Sequence, residues 1–450
     1  MNRDTLKKVI QVRMKNIINK IPCNYSLLIF AFLTSIILSG CRNEIDEEEN
    51  VSWLDQNNLE IPSANIYDSD IDYSEIINAI GNSSIIGLGE ATHGTTEFWG
   101  IRHKLTKYLI ENKGYKAVLI EAPYPNMLFI DNYVYNQIGT LTEAHSKLGY
   151  WRYQEMLELI SMISDYNISN PESKVHFYGY DCGFTKWTRA AEIVLSYLEK
   201  VDLNSIGLVS SYFETMNIFN AENILDLIES KRTEYIGLSS SEEYKSIYLI
   251  SKNLPATVIH KELLNEGSYA MQYRDSINLG NLEFIMDSLL DSRKVIIWAH
   301  NAHISKGCII DFDLSLSAML GLRLKEKYGD QYFNICTEFF NGSFWSWDEC
   351  EGHDFAFRIH NPKIPNNGYF SYYLNQSEKP IFFMNFNDLD ISVTEADWLK
   401  NEKRIHVIGG TYCSEKDTGN YYSQKINITE YYDAIFFFKY THPTTYFSNL

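Results

Sequence analysis

The sequence is poor in cysteine, and the cysteines that it has are irregularly spaced. There are seven in 450 residues, and no two of them form a Cys-x-x-Cys pair. Five lie beyond residue 41: Cys182, Cys308, Cys336, Cys350 and Cys413. An odd number at irregular spacing predicts neither a zinc site nor a disulfide framework. One or two disulfide bridges remain an alternative if the chain enters an oxidising compartment.

Positive charge is also scarce. The chain has 39 Lys and Arg residues against 58 Asp and Glu residues, which gives a formal net charge of −19. A protein that binds the phosphate backbone of a nucleic acid needs a basic face, so we expect no nucleic-acid partner. The composition, which is 45% hydrophobic and 14% aromatic, predicts a large packed core.

Several widespread catalytic motifs are missing. The sequence has no Gly-x-Ser-x-Gly elbow, no His-Glu-x-x-His zinc motif and no P-loop. Gly87 and Gly89 form a Gly-x-Gly, but the third glycine of a dinucleotide fingerprint is absent. We therefore predict no bound cofactor. A hydrolase built from this sequence would use water activated by a histidine, or water bound to a metal, instead of a serine nucleophile.

One apolar run stands out, over residues 24–40, and it follows a start rich in Lys and Arg. The run is short for a membrane span and has the flanks of a signal peptide. It ends in Leu-Ser-Gly and is followed by Cys41, and these four residues resemble a lipoprotein lipobox, in which Cys41 becomes lipidated. We expect a signal peptide over 1–40, an acidic tether over 41–60 and a membrane-anchored protein of the cell envelope. An uncleaved anchor helix is the alternative.

Beyond the tether, short apolar runs alternate with longer helical patterns. Runs this short and this apolar are typical of strands that are buried on both faces of a sheet. Their alternation with helices predicts an α/β fold over residues 61–450, with a mostly parallel central sheet flanked by helices. Residues 186–292 lack such runs, which predicts a helical insertion or lid. The runs are 83–90, 116–122, 174–181, 294–300, 332–339, 380–386, 404–410 and 432–438.

Four of the predicted strands end in an acidic residue or a histidine. These residues are Glu90, Glu121, Asp181 and His300, with His93 and His303 just beyond two of the ends. The carboxyl ends of parallel strands meet at one edge of a sheet, where ligands bind. A single acid at a strand end is commonly a helix cap, and for Asp181 this alternative is open. The whole set, gathered at one edge without a function, would destabilise the fold.

Glu90 and His93 follow their strand within one turn. Gly89 and Gly94 are expected to let the backbone turn sharply there. A carboxylate beside an imidazole fixes its tautomer and raises its basicity, which suits a general base acting on water. Arg102 lies at the edge of the apolar stripe of the helix that follows, so we expect one of the glutamates at the strand ends to pair with it.

These residues, taken together, resemble the erythromycin esterase family. Similar to its signature are Gly-Leu-Gly-Glu-Ala-Thr-His-Gly-Thr-Thr-Glu-Phe at 87–98, Arg102, Glu121 and Trp-Ala-His-Asn-Ala-His at 298–303. Residues 273–285 resemble a helical segment of the family, with Arg274, Asp275 and Asn281 in matching positions and Asn278 and Leu279 departing from the pattern. The resemblance covers roughly residues 60–445 of the chain.

The resemblance implies an esterase that opens macrolide-like lactones by direct attack of water. His93 would be the general base, with Glu90 and Glu121 orienting it and the water. Arg102 would hold a carboxylate or stabilise the oxyanion, and His300 would be a second acid or base, or an oxyanion donor. The implied substrate-binding residues are His303, Asp181 and Arg274.

Two other functions use the same residues. In a metal-dependent hydrolase, the acids and histidines at the strand ends would be ligands, because they are types that Zn²⁺ and Mn²⁺ accept. In a non-catalytic lipoprotein, the same edge of the sheet would bind a ligand without turnover.

Overall fold

The computed structural model describes residues 47–68, 72–183, 185–266, 270–290, 292–310, 316–418 and 421–447. The predicted signal peptide, Cys41 and the first residues of the predicted tether lie outside this part of the chain. Among the helices it describes, none has the length and apolar character needed to cross a membrane.

An eight-stranded sheet runs through the centre of the fold, and most of the neighbouring strands in it are parallel. The strand order is β1-β11-β15-β8-β2-β5-β3-β4. The six strands from β15 to β4 pair in parallel, while β11 runs antiparallel to both of its neighbours. In chain order the strands are β1 Leu59–Glu60, β2 Ile85–Glu90, β3 Ala117–Pro123, β4 His176–Asp181, β5 Val295–His300, β6 Cys308–Ile310, β7 Leu316–Ala318, β8 Tyr332–Gly342, β9 Phe344–Asp348, β10 Phe357–His360, β11 Ile381–Asn385, β12 Lys403–His406, β13 Thr411–Tyr412, β14 Ser423–Ile426 and β15 Ala434–Thr441.

Helices cover both faces of this sheet. They are α1 Glu47–Gln56, α2 Ser74–Ile80, α3 Thr96–Lys113, α4 Tyr124–Asn136, α5 Leu141–Ser146, α6 Gln154–Ser169, α7 Trp187–Val201, α8 Ile206–Glu214, α9 Ile218–Ser230, α10 Arg232–Leu238, α11 Ser241–Glu266, α12 Ala270–Phe284, α13 Asn301–Ile304, α14 Leu320–Tyr328, α15 Phe370–Leu374, α16 Asp397–Lys400 and α17 Ile428–Tyr431. The six helices α7 to α12 form the predicted helical insertion. A π-helical turn at Ile285–Leu289 follows α12. The predicted fold class is confirmed.

Side chains along each strand point alternately to the two faces of the sheet, and each face has its own hydrophobic core. On β2, Ile85 packs with the insertion helices, and we name this face the insertion side. Ile86 and Leu88 pack with Phe98 and Leu105 of α3, and we name that face the α3 side. Because successive side chains of a strand point to opposite faces, residues at one strand end reach different sides of the sheet.

Two predicted segments differ from the structure. Residues 47–60 were expected in a tether, but they form α1 and β1, and Leu54 is buried in the core of the insertion side. The run 404–410 was expected to be a buried parallel strand. Only its start is extended: β12 pairs antiparallel with β14 in a separate two-stranded sheet. A short apolar run does not itself specify which strand it pairs with, so the sequence pattern could not exclude this pairing.

Candidate active site

The strand-end residues do meet at the carboxyl edge of the sheet. Glu90 and His300 end the neighbouring strands β2 and β5, and they are direct partners in the strand register. Glu121 lies near the end of β3, the strand on the other side of β5, and Asp181 ends β4. All four residues are buried. Adjacent buried parallel strands therefore place them side by side, as the sequence predicted.

Glu90 lies at the centre of a cluster on the α3 side. One of its oxygens, Oε1, is 2.7 Å from His93 Nδ1, and the other accepts a hydrogen bond from Nη2 of Arg102. The guanidinium of Arg102 is stacked between Trp99 and Trp298, at 4.7 and 4.5 Å from the ring centroids. Burial lowers the pKa of Arg102, against the opposing effect of Glu90. These five residues form what we call the Glu90 cluster.

The Glu90 cluster fixes the position and tautomer of His93. As a carboxylate, Glu90 accepts a hydrogen bond from Nδ1–H, so Nε2 is the ring nitrogen that can take a proton from a substrate or water. The backbone carbonyl of His93 accepts a hydrogen bond from Trp99 Nε1 at 3.0 Å. The ring meets Trp151 edge-on at 5.2 Å between centroids. Its side chain is 12% exposed, against 1% for Glu90, so the imidazole is the accessible end of the pair.

The two glycines beside this pair have a different role from the one expected. Neither Gly89 nor Gly94 has a positive φ angle, so the turn does not need a glycine conformation. Instead, both allow close packing. A Cβ atom on Gly89 would lie 2.2 Å from Oδ1 of Asn301, and one on Gly94 would lie 2.4 Å from the carbonyl oxygen of Trp345. The expectation of a sharp glycine turn was wrong, although glycine is required at both positions.

His300 is close to His93, but both of its ring nitrogens bond to the backbone. Nδ1 accepts a hydrogen bond from the amide of Ala302 at 3.2 Å, and Nε2 lies 3.3 Å from the carbonyl oxygen of Ala91. Burial, followed by the nearby His93, lowers the pKa of His300 to about 3. The ring is therefore neutral at neutral pH. It packs against His93 with 5.6 Å between the centroids.

A second cluster lies on the insertion side, around Arg274 of α12. Arg274 makes a two-pronged contact with Asp181, from Nε at 2.8 Å and Nη2 at 2.5 Å, and Nη2 also donates to Glu121 at 2.8 Å. His303 bridges Asp275, at 2.8 Å from Nδ1, and Glu121, at 3.1 Å from Nε2. We call these five residues the Arg274 cluster. Asp181 also accepts a hydrogen bond from the amide of Gly183, but it does not cap a helix, because the next described helix, α7, begins at Trp187.

The charges of the Arg274 cluster compensate one another. Burial lowers the pKa of His303, but Asp275 and Glu121 outweigh it and raise that pKa to about 10. Burial raises the pKa of Glu121, but His303 and Arg274 outweigh it and hold that pKa well below its usual value. The cluster is thus two cations and three carboxylates, which explains how so many charged groups can be buried.

Glu121 connects the two clusters. Its Oε1 belongs to the Arg274 cluster, and its Oε2 accepts a 3.0 Å hydrogen bond from the backbone amide of His300. His300 in turn packs against His93. A continuous set of contacts therefore runs from α12 of the insertion, through the edge of the sheet, to the imidazole of the Glu90 cluster.

Sequence reasoning missed three residues that belong to this region. Asn278, which departs from the family pattern, donates to Asp181 at 3.2 Å and accepts from the amide of Cys182 at 2.9 Å. Glu338 of β8 and His406 of β12 form a further buried carboxylate–imidazole pair. Glu338 lies near the end of the predicted strand 332–339, so its position at a strand end could have identified it. His406 lies within the run 404–410, which was wrongly expected to be a buried parallel strand.

The arrangement of donors does not favour the metal alternative. In the described part of the chain, groups of three donors close enough to share an ion occur only at Cys350 and Cys413. Those two cysteines form a disulfide. The carboxylate oxygens of Glu90, Glu121 and Asp181 are already engaged by arginine, histidine or backbone amides. A metal ion would have to displace these cationic partners.

Comparison with known proteins gives a consistent result. The family model for erythromycin esterase matches residues 110–441. An erythromycin esterase type II of Escherichia coli is 25% identical over 336 residues, which are 66% of this chain and 79% of the relative. A putative hydrolase of Bacillus subtilis is 20% identical over 396 residues, which are 80% of this chain and 86% of the relative.

Solved structures share the fold. A Bacillus cereus protein superposes with a TM-score of 0.75 at 22% identity, covering 90% of this chain and all of its own. A histidine-to-asparagine mutant of the erythromycin esterase EreC, in its open conformation, gives a TM-score of 0.60 at 15% identity, covering 85% of this chain and 97% of its own. Family and relatives indicate an esterase-like hydrolase at a general level. Because the family model matches well over half of its length, the chain belongs to the erythromycin esterase family.

Proposed function

We propose that this protein hydrolyses a carboxylic ester or a macrolactone with water that His93 activates. The observation that carries the proposal is the position of Glu90 between His93 and Arg102. Arg102 holds the carboxylate in place and balances its charge, and Glu90 in turn holds Nδ1 of the imidazole. The accessible member of the cluster is therefore a histidine whose tautomer is set for proton abstraction.

The reaction needs no covalent intermediate with the protein. His93 Nε2 takes a proton from water, and the water oxygen forms a bond to the carbonyl carbon. The tetrahedral intermediate then expels the alkoxy oxygen, which takes the proton back from the imidazolium. The products are a carboxylic acid and an alcohol. Glu90 stabilises the imidazolium that forms between these two steps, as a carboxylate beside a catalytic histidine does in other enzymes.

We assign the Arg274 cluster a supporting role. Glu121, Asp181, Arg274 and His303 are all buried and paired with one another, so they hold the edge of the sheet rigid. Through Glu121, they fix the backbone of His300 and with it the packing of the His93 ring. This role differs from the direct substrate contact that was expected for Asp181, Arg274 and His303.

The substrate class follows from the family and from the named activity of the Escherichia coli relative, which favour a macrolide-like lactone. Phe213 and Tyr235, two aromatic residues of the insertion, are buried in the hydrophobic core of the insertion side.

We also propose that Cys41 is lipidated and that the enzyme acts in the cell envelope, on the strength of the lipobox-like sequence alone.

The decisive experiment is to incubate residues 42–450 with a panel of macrolides and simple esters in H₂¹⁸O. One heavy oxygen in the product acid, with no trapped acyl-enzyme, is the expected result. Activity should persist after exhaustive chelation. If chelation removes about one equivalent of bound metal and activity disappears with it, the metal alternative is supported. Binding without turnover would support the ligand-binding alternative.

A matched pair of variants tests the base. His93→Asn should lower kcat by roughly 10²–10⁴ while melting temperature stays close to that of the wild type. His442→Asn is the control, because His442 makes the same kind of 2.7 Å contact, with Glu97, but is 73% exposed. Turnover by His93→Asn within a few-fold of the control would refute the proposed role of His93.

A further inference from the structure

A further carboxylate–imidazole pair lies at the same edge of the sheet. Glu338 of β8 is fully buried, and its Oε1 lies 2.5 Å from Nδ1 of His406. The same carboxylate accepts the backbone amide of His406 through Oε2 at 2.8 Å and that of Phe339 through Oε1 at 2.9 Å. A buried carboxylate is costly unless it is well bonded, and here three donors converge on it.

The pair is connected to the Glu90 cluster through the backbone of one residue, Ala91. Ala91 directly follows Glu90, and its amide donates to the hydroxyl of Thr337 at 3.0 Å, one residue before Glu338. Its carbonyl accepts from the amide of Ile408 at 3.1 Å, two residues after His406. Since β8 is the direct neighbour of β2, the pair lies one strand away from the proposed base.

The His406 ring is held on several sides. Phe339 stacks on it with 4.7 Å between ring centroids, and Tyr369 lies 5.3 Å away on the same measure. Nδ1 and the backbone amide both bond to Glu338. Within the described residues, Nε2 has no hydrogen-bond partner, yet it is not one of the atoms sealed from solvent. A fixed imidazole in a polar strand-end region, 5% exposed, thus has one nitrogen that no described protein group engages.

The tautomer of His406 determines what that nitrogen can bind. As a carboxylate, Glu338 accepts a hydrogen bond from Nδ1–H, and Nε2 of the neutral ring then carries a lone pair. Such a nitrogen accepts a hydrogen bond from a hydroxyl group. A site with a buried polar group of this kind discriminates strongly against a ligand that lacks its partner, because the group is left unpaired.

We propose that His406 is a specificity-determining residue whose Nε2 accepts a hydrogen bond from a hydroxyl group of the substrate. The substrate is then a hydroxylated ester or lactone with a free hydroxyl near the scissile carbonyl. Glu338 is the positioning residue that sets the tautomer. This inference rests on the proposed hydrolysis at His93 and adds the class of substrate to it.

The test compares a hydroxylated lactone that the wild type hydrolyses with methyl ethers of it, capped one hydroxyl at a time. The wild type should lose about 10–100-fold in kcat/KM for one of these ethers, since an unpaired buried polar group costs about 1–3 kcal/mol. In His406→Leu, KM for the parent should rise by a similar factor while kcat changes little, and the discrimination should disappear. His406→Gln, whose amide oxygen can accept the bond, should restore part of it.

The matched control is His176→Leu. His176 also pairs with a carboxylate, Asp131, at 3.1 Å from Nδ1, but it begins β4 and so lies at the opposite edge of the sheet. It should keep full discrimination. Discrimination below about threefold at every hydroxyl in the wild type would overturn the inference whatever the variants do. So would an unchanged ratio in His406→Leu. No hydrolysis of any panel member by the wild type would overturn the proposed function, and this inference with it.

Discussion

Replacing Arg102 with methionine tests the central assumption about the Glu90 cluster. The assumption is that the buried guanidinium of Arg102 holds the carboxylate of Glu90, which in turn positions the proposed base, His93. Arg102 is 2% exposed, and it bonds to Glu90 and to the carbonyl of Phe98 at 3.3 Å. Methionine fills much of the space between the two tryptophans but leaves Glu90 without its cation. Removal of one partner of a buried ion pair costs about 3–5 kcal/mol, which is roughly a 10²–10⁴-fold change in the unfolding equilibrium.

Urea unfolding followed by tryptophan fluorescence suits this test, because Trp99 and Trp298 lie against the guanidinium. Turnover should fall as well, by roughly 10²-fold or more, since His93 loses its fixed partner. Lys113→Met on the same helix is the control. Lys113 is exposed, so its replacement should change the unfolding free energy by less than about 0.5 kcal/mol.

A double-mutant cycle makes the result specific. Arg102→Met combined with Glu90→Gln removes both charges, and the double variant should be more stable than the sum of the single losses predicts. Additive losses would show that Arg102 and Glu90 are not coupled. A melting curve and turnover like those of Lys113→Met would refute the reasoning altogether.

Three further predictions concern pH, the disulfide and the membrane. The unfolding free energy should fall as pH rises from about 6.5 towards 10, because His303 has a folded pKa of about 10 and its contribution is complete only below its unfolded value. It should also fall as pH drops from about 6.5 towards 3, because His300 has a folded pKa of about 3; a curve without either limb would contradict both assignments. Cys350→Ser with Cys413→Ser opens a loop of 63 residues and should cost about 2–4 kcal/mol in urea unfolding, and no change would mean that the bridge is not formed in the purified protein. Cys41→Ala should abolish fatty-acid labelling and membrane association, and unchanged fractionation would exclude lipidation at this residue.

The sequence predicts much of this site because buried parallel strands leave few choices. Glu90, Glu121, Asp181 and His300 each follow an apolar run, and a parallel sheet must gather such ends at one edge. Gly89 was expected to permit a sharp turn, but it allows close packing against Asn301, which is a tertiary contact that local sequence does not show.

What could not be predicted depends on how helices and loops dock onto the sheet. Asp275 was expected only through the family pattern, and its contact with His303 follows from the packing of α12. His406 was not predicted as part of this region, because the run 404–410 was expected to be a strand of the central sheet. Instead β12 pairs with β14, and His406 bonds to Glu338 of β8. Asn278 breaks the pattern of the family and still bonds to Asp181.

The connection through Glu121 has a consequence for how the insertion can vary. Helices α8 to α10 pack largely within the insertion, so their sequence and length are open to change without moving a residue at the strand ends. Helix α12 does not have this freedom, because it supplies Arg274 and Asp275 to the edge of the sheet. A chimaera that takes α8 to α10 from a relative with another substrate should keep a working centre. One that also exchanges α12 must bring matching partners on β3, β4 and α13, and the boundary for exchange therefore lies before α12.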